Sequence, residues 1–180
     1  MIHLYYFKKS VRLNIKNGYN YGKSGLDAFL IEKASSYTYF FQPDGTANIK
    51  IQLKHTLKGP YLIFFENNRV MFMKIRKEND RSITFTFNDG KVIGHIDPKG
   101  KKNIIGEIIF PQNIFKIKRL PNREIVFYNK YRQLAVSKKG WLPLDWSSFF
   151  RLNTPVVTFQ EKLTSTEKAA ILLALVCIER

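Results

Sequence analysis

The chain is poor in the residues on which most hydrolases, metalloproteins and secreted domains depend. A single cysteine, Cys177, cannot form an intrachain disulfide; this excludes a disulfide-stapled scaffold and fits a reducing compartment. Within an apolar run, such a thiol is expected to be a small buried hydrophobe. The three histidines, His3, His55 and His95, are scattered, and no two have the spacing of metal ligands. A nucleophilic triad would have only these histidines to draw on, and no nucleophile elbow accompanies them. Acids are also scarce, with 14 Asp and Glu against 30 Lys and Arg. Asp44, Glu78, Asp80, Asp89 and Asp97 fall in turn segments, where backbone chemistry accounts for them without paired-carboxylate catalysis. No stretch of about 18 apolar residues exists to span a bilayer as a helix. The N-terminal Met-Ile-His-Leu-Tyr-Tyr-Phe has an apolar run shorter than a signal-peptide core, and it precedes Lys8 and Lys9 instead of following them. These absences predict a cytosolic protein with no transmembrane segment, no catalysis, no metal and no cofactor.

The shortage of acid leaves a formal net charge of +16. Such a surface favours an anionic partner, whether nucleic acid, an acidic protein or an anionic membrane. The chain is also rich in Lys, Asn, Ile, Phe and Tyr, residues of AT-rich codons, which offers a compositional source for part of the charge. A hydrophobic content of 44% is enough to bury a core and excludes a disordered chain. There is no linker, repeat or low-complexity tract, so residues 1–180 are expected to form one domain.

Period-two alternation dominates from residue 37 to 137. Ile49, Ile51 and Leu53 alternate with Lys50, Gln52 and Lys54, and Met71, Met73 and Ile75 form the inner face of a strand whose outer face carries Lys74 and Arg76. Turn residues separate these runs. Asn67-Asn68 and Asn88-Asp89-Gly90 suit hairpins because Asn and Gly tolerate positive φ. Gly59-Pro60, Pro98-Lys99-Gly100, Pro111-Gln112-Asn113 and Pro121-Asn122-Arg123 break the chain elsewhere. The pattern predicts roughly nine or ten short strands, with Val156–Phe159 as a further one. Leu26, Phe29, Leu30 and Lys33 are spaced three and four apart, which predicts one short helix over residues 26–33.

The last segment differs from everything before it. Thr164-Ser-Thr-Glu167 is a capping box, followed by Ala169-Ala-Ile-Leu-Leu-Ala-Leu-Val-Cys-Ile178, a helix with no polar face. A helix that is apolar all round must be buried all round. At 1.5 Å per residue its ten apolar residues span roughly 15 Å, about half a bilayer core. A sheet of many strands closed into a barrel loses its exposed edges, and beyond about eight strands it leaves an interior that side chains alone do not fill. The expected fold is therefore all-β with one buried helix: an antiparallel meander barrel around a C-terminal hydrophobic helix.

That architecture resembles the tubby C-terminal fold, shared by LURP-one-related proteins and phospholipid scramblases. The resemblance rests on the end helix, Glu167–Ile178, and on Phe87-Asn-Asp-Gly-Lys-Val-Ile-Gly-His-Ile96, which is similar to the Asp-x-x-Gly-x-x-Ile-Gly-x-Ile hairpins of scramblase-like chains. It implies a non-enzymatic binding domain, and several members of that superfamily act at anionic lipids. The calcium-ligand and transmembrane segments of true scramblases have no counterpart here, so lipid scrambling is not implied.

One motif imitates a nucleotide site. Gly18-Tyr-Asn-Tyr-Gly-Lys-Ser24 ends like a phosphate-binding loop, but three residues separate the glycines where that loop needs four. Such enzymes also need parallel strands with helical crossovers, and this chain offers hairpins. The remaining candidates are basic. Lys116, Lys118, Arg119, Arg123, Lys130, Arg132, Lys138 and Lys139 share a stretch that holds one acid, Glu124, while Lys74, Arg76 and Lys77 form a second group. Outward pairs on neighbouring hairpins are expected to build a positive face that docks on anionic phospholipid or an acidic partner, peripheral to the inner membrane surface. The alternative is a nucleic-acid-binding barrel, which would need exposed aromatics among the cations. Phe85 and Phe87 are expected in the core, leaving Tyr19, Tyr21, Tyr128 and Tyr131 as candidates for that role.

Overall fold

The computed structural model describes residues 28–34, 37–41, 49–57, 59–67, 69–79, 82–87, 90–97, 103–130, 132–139 and 155–178. The glycine-rich segment 17–24, the turn 42–45, the aromatic-rich segment 140–154 and Tyr131 lie outside the described residues. The strands are β1 Ala28–Ala34, β2 Tyr37–Phe41, β3 Ile49–Thr56, β4 Gly59–Glu66, β5 Arg69–Lys77, β6 Ile83–Phe87, β7 Val92–Ile96, β8 Ile104–Ile109, β9 Ile114–Arg119, β10 Ile125–Asn129, β11 Arg132–Lys138 and β12 Val156–Phe159. One helix, α1, follows at Ser165–Ile178. Each strand pairs antiparallel with the next, and β12 returns to β1 through Ala28↔Thr158 and Leu30↔Val156, closing a barrel.

The first of these strands corrects the expected helix over residues 26–33. Its described part is extended, pairing with β12 on one side and with β2, through Leu30↔Phe41 to Ala34↔Tyr37, on the other. A lone helix of two turns is marginal in water. As a strand the same segment satisfies its backbone groups on both sides and leaves the barrel without an edge.

Alternation places the core as the sequence predicts. On β5, Met73 and Ile75 are buried while Phe72, Lys74 and Arg76 are exposed. On β9, Phe115 and Ile117 are fully buried between Ile114 and Lys116, which are exposed. Phe40, Phe64, Phe85, Phe115, Phe127 and Phe159 supply the largest inward side chains. The interior is apolar, whereas the lumen of a bilayer-spanning barrel is polar.

The helix fits the hole the strands leave. Twelve strands spaced ~4.8 Å apart and tilted ~40° enclose a backbone cylinder with a radius of about 12 Å. A helix radius of ~5–6 Å plus one ~5 Å layer of sheet side chains nearly fills it. In α1, Ala169 to Leu175 are all fully buried, so every face of the helix touches protein. The capping box forms: the Thr164 N–H donates to Glu167 Oε2 at 2.9 Å, and the Glu167 N–H donates to Thr164 Oγ1 at 3.3 Å. The helix thus enters the apolar interior with its first orphan donors already partnered.

The Val92–Ile96 hairpin strand explains its own glycine. Gly94 pairs with Phe85 across β6 and β7, and the Phe85 ring lies over the position a Cβ would occupy. Phe85 is fully buried and cannot swing away. Gly94→Ala is expected to lower the unfolding free energy by about 1–3 kcal/mol through overpacking, and Leu172→Ala by about 2–5 kcal/mol through an unfilled cavity. Urea titration followed by circular dichroism measures both; a change below 0.5 kcal/mol in either variant would contradict the packing described.

Candidate functional site

Strand order fixes where each basic residue goes. The upper end of the barrel carries the β4–β5 turn at Asn67 and the β10–β11 turn at Lys130, and α1 starts there, with Arg69 Nη2 donating to Thr166 Oγ1 at 3.4 Å. The lower end carries the β3–β4 turn at Leu57, the β5–β6 turn near Glu78, the β9–β10 turn at Pro121–Arg123 and the end of β11. Arg76 and Lys77 close β5, Lys118 and Arg119 close β9, Arg123 tips the following turn, and Lys138 and Lys139 end β11, so all of these lie at the lower end. Lys74 sits one turn of the pleat above them on β5, and Lys116 lies higher on the flank of β9. Lys130 and Arg132 are at the upper end, a barrel length away, with Arg132 Nη1 4.0 Å from Glu161 Oε1.

The expectation that the two outward pairs sit on neighbouring hairpins is therefore corrected. β6, β7 and β8 separate β5 from β9, a third of the circumference or about 19 Å along the sheet. In this ring, strands four places apart in order do not touch. What the fold offers instead is an end: the cations converge along the axis, not around the flank.

Two features shape this end electrostatically. Lys77 and Arg119 fall on inward-facing positions of the alternation at the last residue of their strands, which puts them at the mouth. By topology the α1 C-terminus points toward the same end, and its last turn carries no basic residue. The described acids here are Glu78, Asp97 and Glu124. Glu124 holds Lys138 Nζ at 3.1 Å. Glu78 accepts from Thr84 Oγ1 and lies 3.7 Å from His95 Nδ1, which is also 3.3 Å from Thr84 Oγ1. Among the described residues no three His, Cys, Asp or Glu side chains are grouped to hold a metal ion.

A second basic surface was not legible as such in the sequence. It covers the outward face of β2–β5, where Tyr37, Tyr39, Tyr61, Phe65 and Phe72 share the outer face with Lys50, Lys54 and Lys74. Lys50 Nζ lies 5.7 Å from the Tyr37 ring centroid and 5.0 Å from that of Phe65, within the range of cation–π attraction. The Tyr37 and Tyr39 rings stack with centroids 5.9 Å apart. Strand parity alone could have assigned these rings outward; an apolar run such as Tyr61–Phe65 hides that assignment because both of its faces are hydrophobic.

No family model, curated protein or solved structure matches this chain.

The rim also contains backbone strain. Arg123 has a φ of 66°, a region that costs a residue with a Cβ about 1 kcal/mol or more. Arg123→Gly removes a rim charge and relieves that conformation. It is expected to leave stability unchanged or raise it by up to about 1 kcal/mol, net of the entropy of the added glycine. A thermal melt decides; a loss above 1 kcal/mol would mean that the Arg123 side chain holds the turn.

Proposed function

We propose that this protein is a non-catalytic binding domain that docks on anionic phospholipid through the lower end of the barrel. The observation that carries this reading is the convergence of Arg76, Lys77, Lys118, Arg119, Arg123, Lys138 and Lys139 on one end, from three separate strands and a turn. An end-on arrangement presents many cations to one plane at once, which a charged flank of a cylinder does not. Each Lys or Arg near an anionic leaflet contributes about 1 kcal/mol, so this rim suffices for weak, reversible attachment. The resemblance to the tubby and LURP-one architecture adds to this reading through the lipid-directed members of that superfamily. The chemistry required is only charge and exposure; no step in this function calls for a nucleophile or a proton donor.

Vesicle sedimentation tests the reading. Vesicles containing phosphatidylserine are expected to carry the protein down at 50 mM NaCl and to release most of it at about 0.5 M, where the screening length falls to a few ångströms. Vesicles of phosphatidylcholine alone should leave it in the supernatant. A triple Arg76→Glu, Lys77→Glu, Lys139→Glu variant is expected to bind at least tenfold more weakly, while Lys130→Glu at the far end changes little. Equal loss in both variants would point to diffuse charge without a docking end, and no sedimentation at low salt would end the proposal.

A further inference from the structure

The outward face of β2–β5 supports a different partner from the lower end. Its register sets rings and cations in alternating rows across four strands. Tyr39 lies across from Lys50, Lys50 from Phe65, and Phe65 from Val70; two rows below, Lys54 lies across from Tyr61 and Tyr61 from Lys74. Between them, Ile63 is buried and pairs with Phe72, which is 62% exposed. Glu66 is the only acid among the described residues of these four strands. On the far side of the barrel, the outward row is Ile93, Ile109 and Ile114, with no ring in it. Elsewhere among the described strands the outer face sets a ring beside a cation at Tyr128 and Lys116, so the combination is most extensive on β2–β5.

We infer that this sector is a platform for single-stranded nucleic acid. Unpaired strands are held by a positive surface that follows the phosphates and by aromatic side chains on which bases stack. A strand laid across β2–β5 at ~4.8 Å per step meets a ring or an ammonium group at three of four positions along the Tyr39–Lys50–Phe65–Val70 row and at all three along Lys54–Tyr61–Lys74. The rings of Tyr37, Tyr39, Tyr61 and Phe65 are half-buried on the outer face, and Phe72 beside them is 62% exposed. Rings interleaved with ammonium groups suit the alternation of base and phosphate along an unpaired strand. Duplex DNA, with its bases already stacked and paired, could use only the charge. This inference is independent of the lipid-docking end: it concerns other residues and another polyanion.

Fluorescence anisotropy with labelled twelve-nucleotide oligo-dT and oligo-U, and with a duplex of equal length, tests it. At 100 mM NaCl the single strands are expected to bind more tightly than the duplex. Phe72→Ala and Tyr61→Ala should each weaken single-strand binding by about 5- to 100-fold, the range of one lost stacking contact. Phe72→Trp should retain it, because stacking needs a ring and not that ring. Ile114→Ala on the opposite flank should bind as the parent, and unchanged melting curves verify that the surface variants are folded. Equal affinity for single strand and duplex would overturn the inference, as would Phe72→Ala and Tyr61→Ala variants that bind like the parent. If these two variants instead lose phosphatidylserine vesicles while oligonucleotide affinity stays constant, the sector belongs to a membrane contact and the inference also falls. None of these outcomes bears on the charge-reversal result at the lower end, so the two readings fail separately.

Discussion

The structure depends on one mutual requirement between α1 and the ring of strands. A helix whose seven central residues, Ala169 to Leu175, are all fully buried has no stable place at a surface. A twelve-strand ring has no stable interior without something to fill it. Neither element satisfies its own apolar surface, and each supplies what the other lacks. The capping box at Thr164 and Glu167 closes the exposed first turn of the helix, just ahead of the buried run from Ala169. The closure of β1 on β12 then removes the last free edge.

This packing decides where function can reside. With the interior filled by α1 and the inward phenylalanines, what the fold presents to a partner is its exterior and its two ends. A meander distributes residues by strand number around the circumference and by strand direction along the axis. Cations that close alternate strands therefore gather at one end even when their strands are far apart. The lower rim is built this way from β5, β9 and β11. The aromatic flank follows the complementary rule: adjacent strands β2 to β5 place outward residues side by side, so a local cluster on the surface reflects a contiguous span of sequence.

Much of this was legible before any coordinates. The capped, wholly apolar C-terminal run specified a buried helix, and period-two alternation with Asn-Asn, Asn-Asp-Gly and proline turns specified a meander; Asn67 and Gly90 indeed take positive φ in the β4–β5 and β6–β7 turns. Alternation also assigned Lys74, Arg76, Lys116 and Lys118 to the outside. Other features were not legible. The spacing of Leu26, Phe29, Leu30 and Lys33 matched a helix, and only long-range pairing with β2 and β12 makes that segment a strand. The basic groups looked like neighbours because sequence distance says nothing about how many strands intervene in a closed ring. The outward rings on β4 escaped notice because Tyr61 to Phe65 is apolar at every position, which conceals which face meets solvent.

The most direct test of the central claim is hydrogen exchange of the α1 backbone, read by mass spectrometry or NMR on the intact protein. A helix enclosed by strands can exchange only when the barrel opens. The amides of Ile171 to Val176 are therefore expected to be among the slowest in the chain, exchanging with the same opening free energy and denaturant dependence as those of Phe85, Phe115 and Ile117. Exchange of these helix amides orders of magnitude faster than that of the strand amides, with little dependence on denaturant, would show that α1 leaves its place while the barrel stands and would contradict the account.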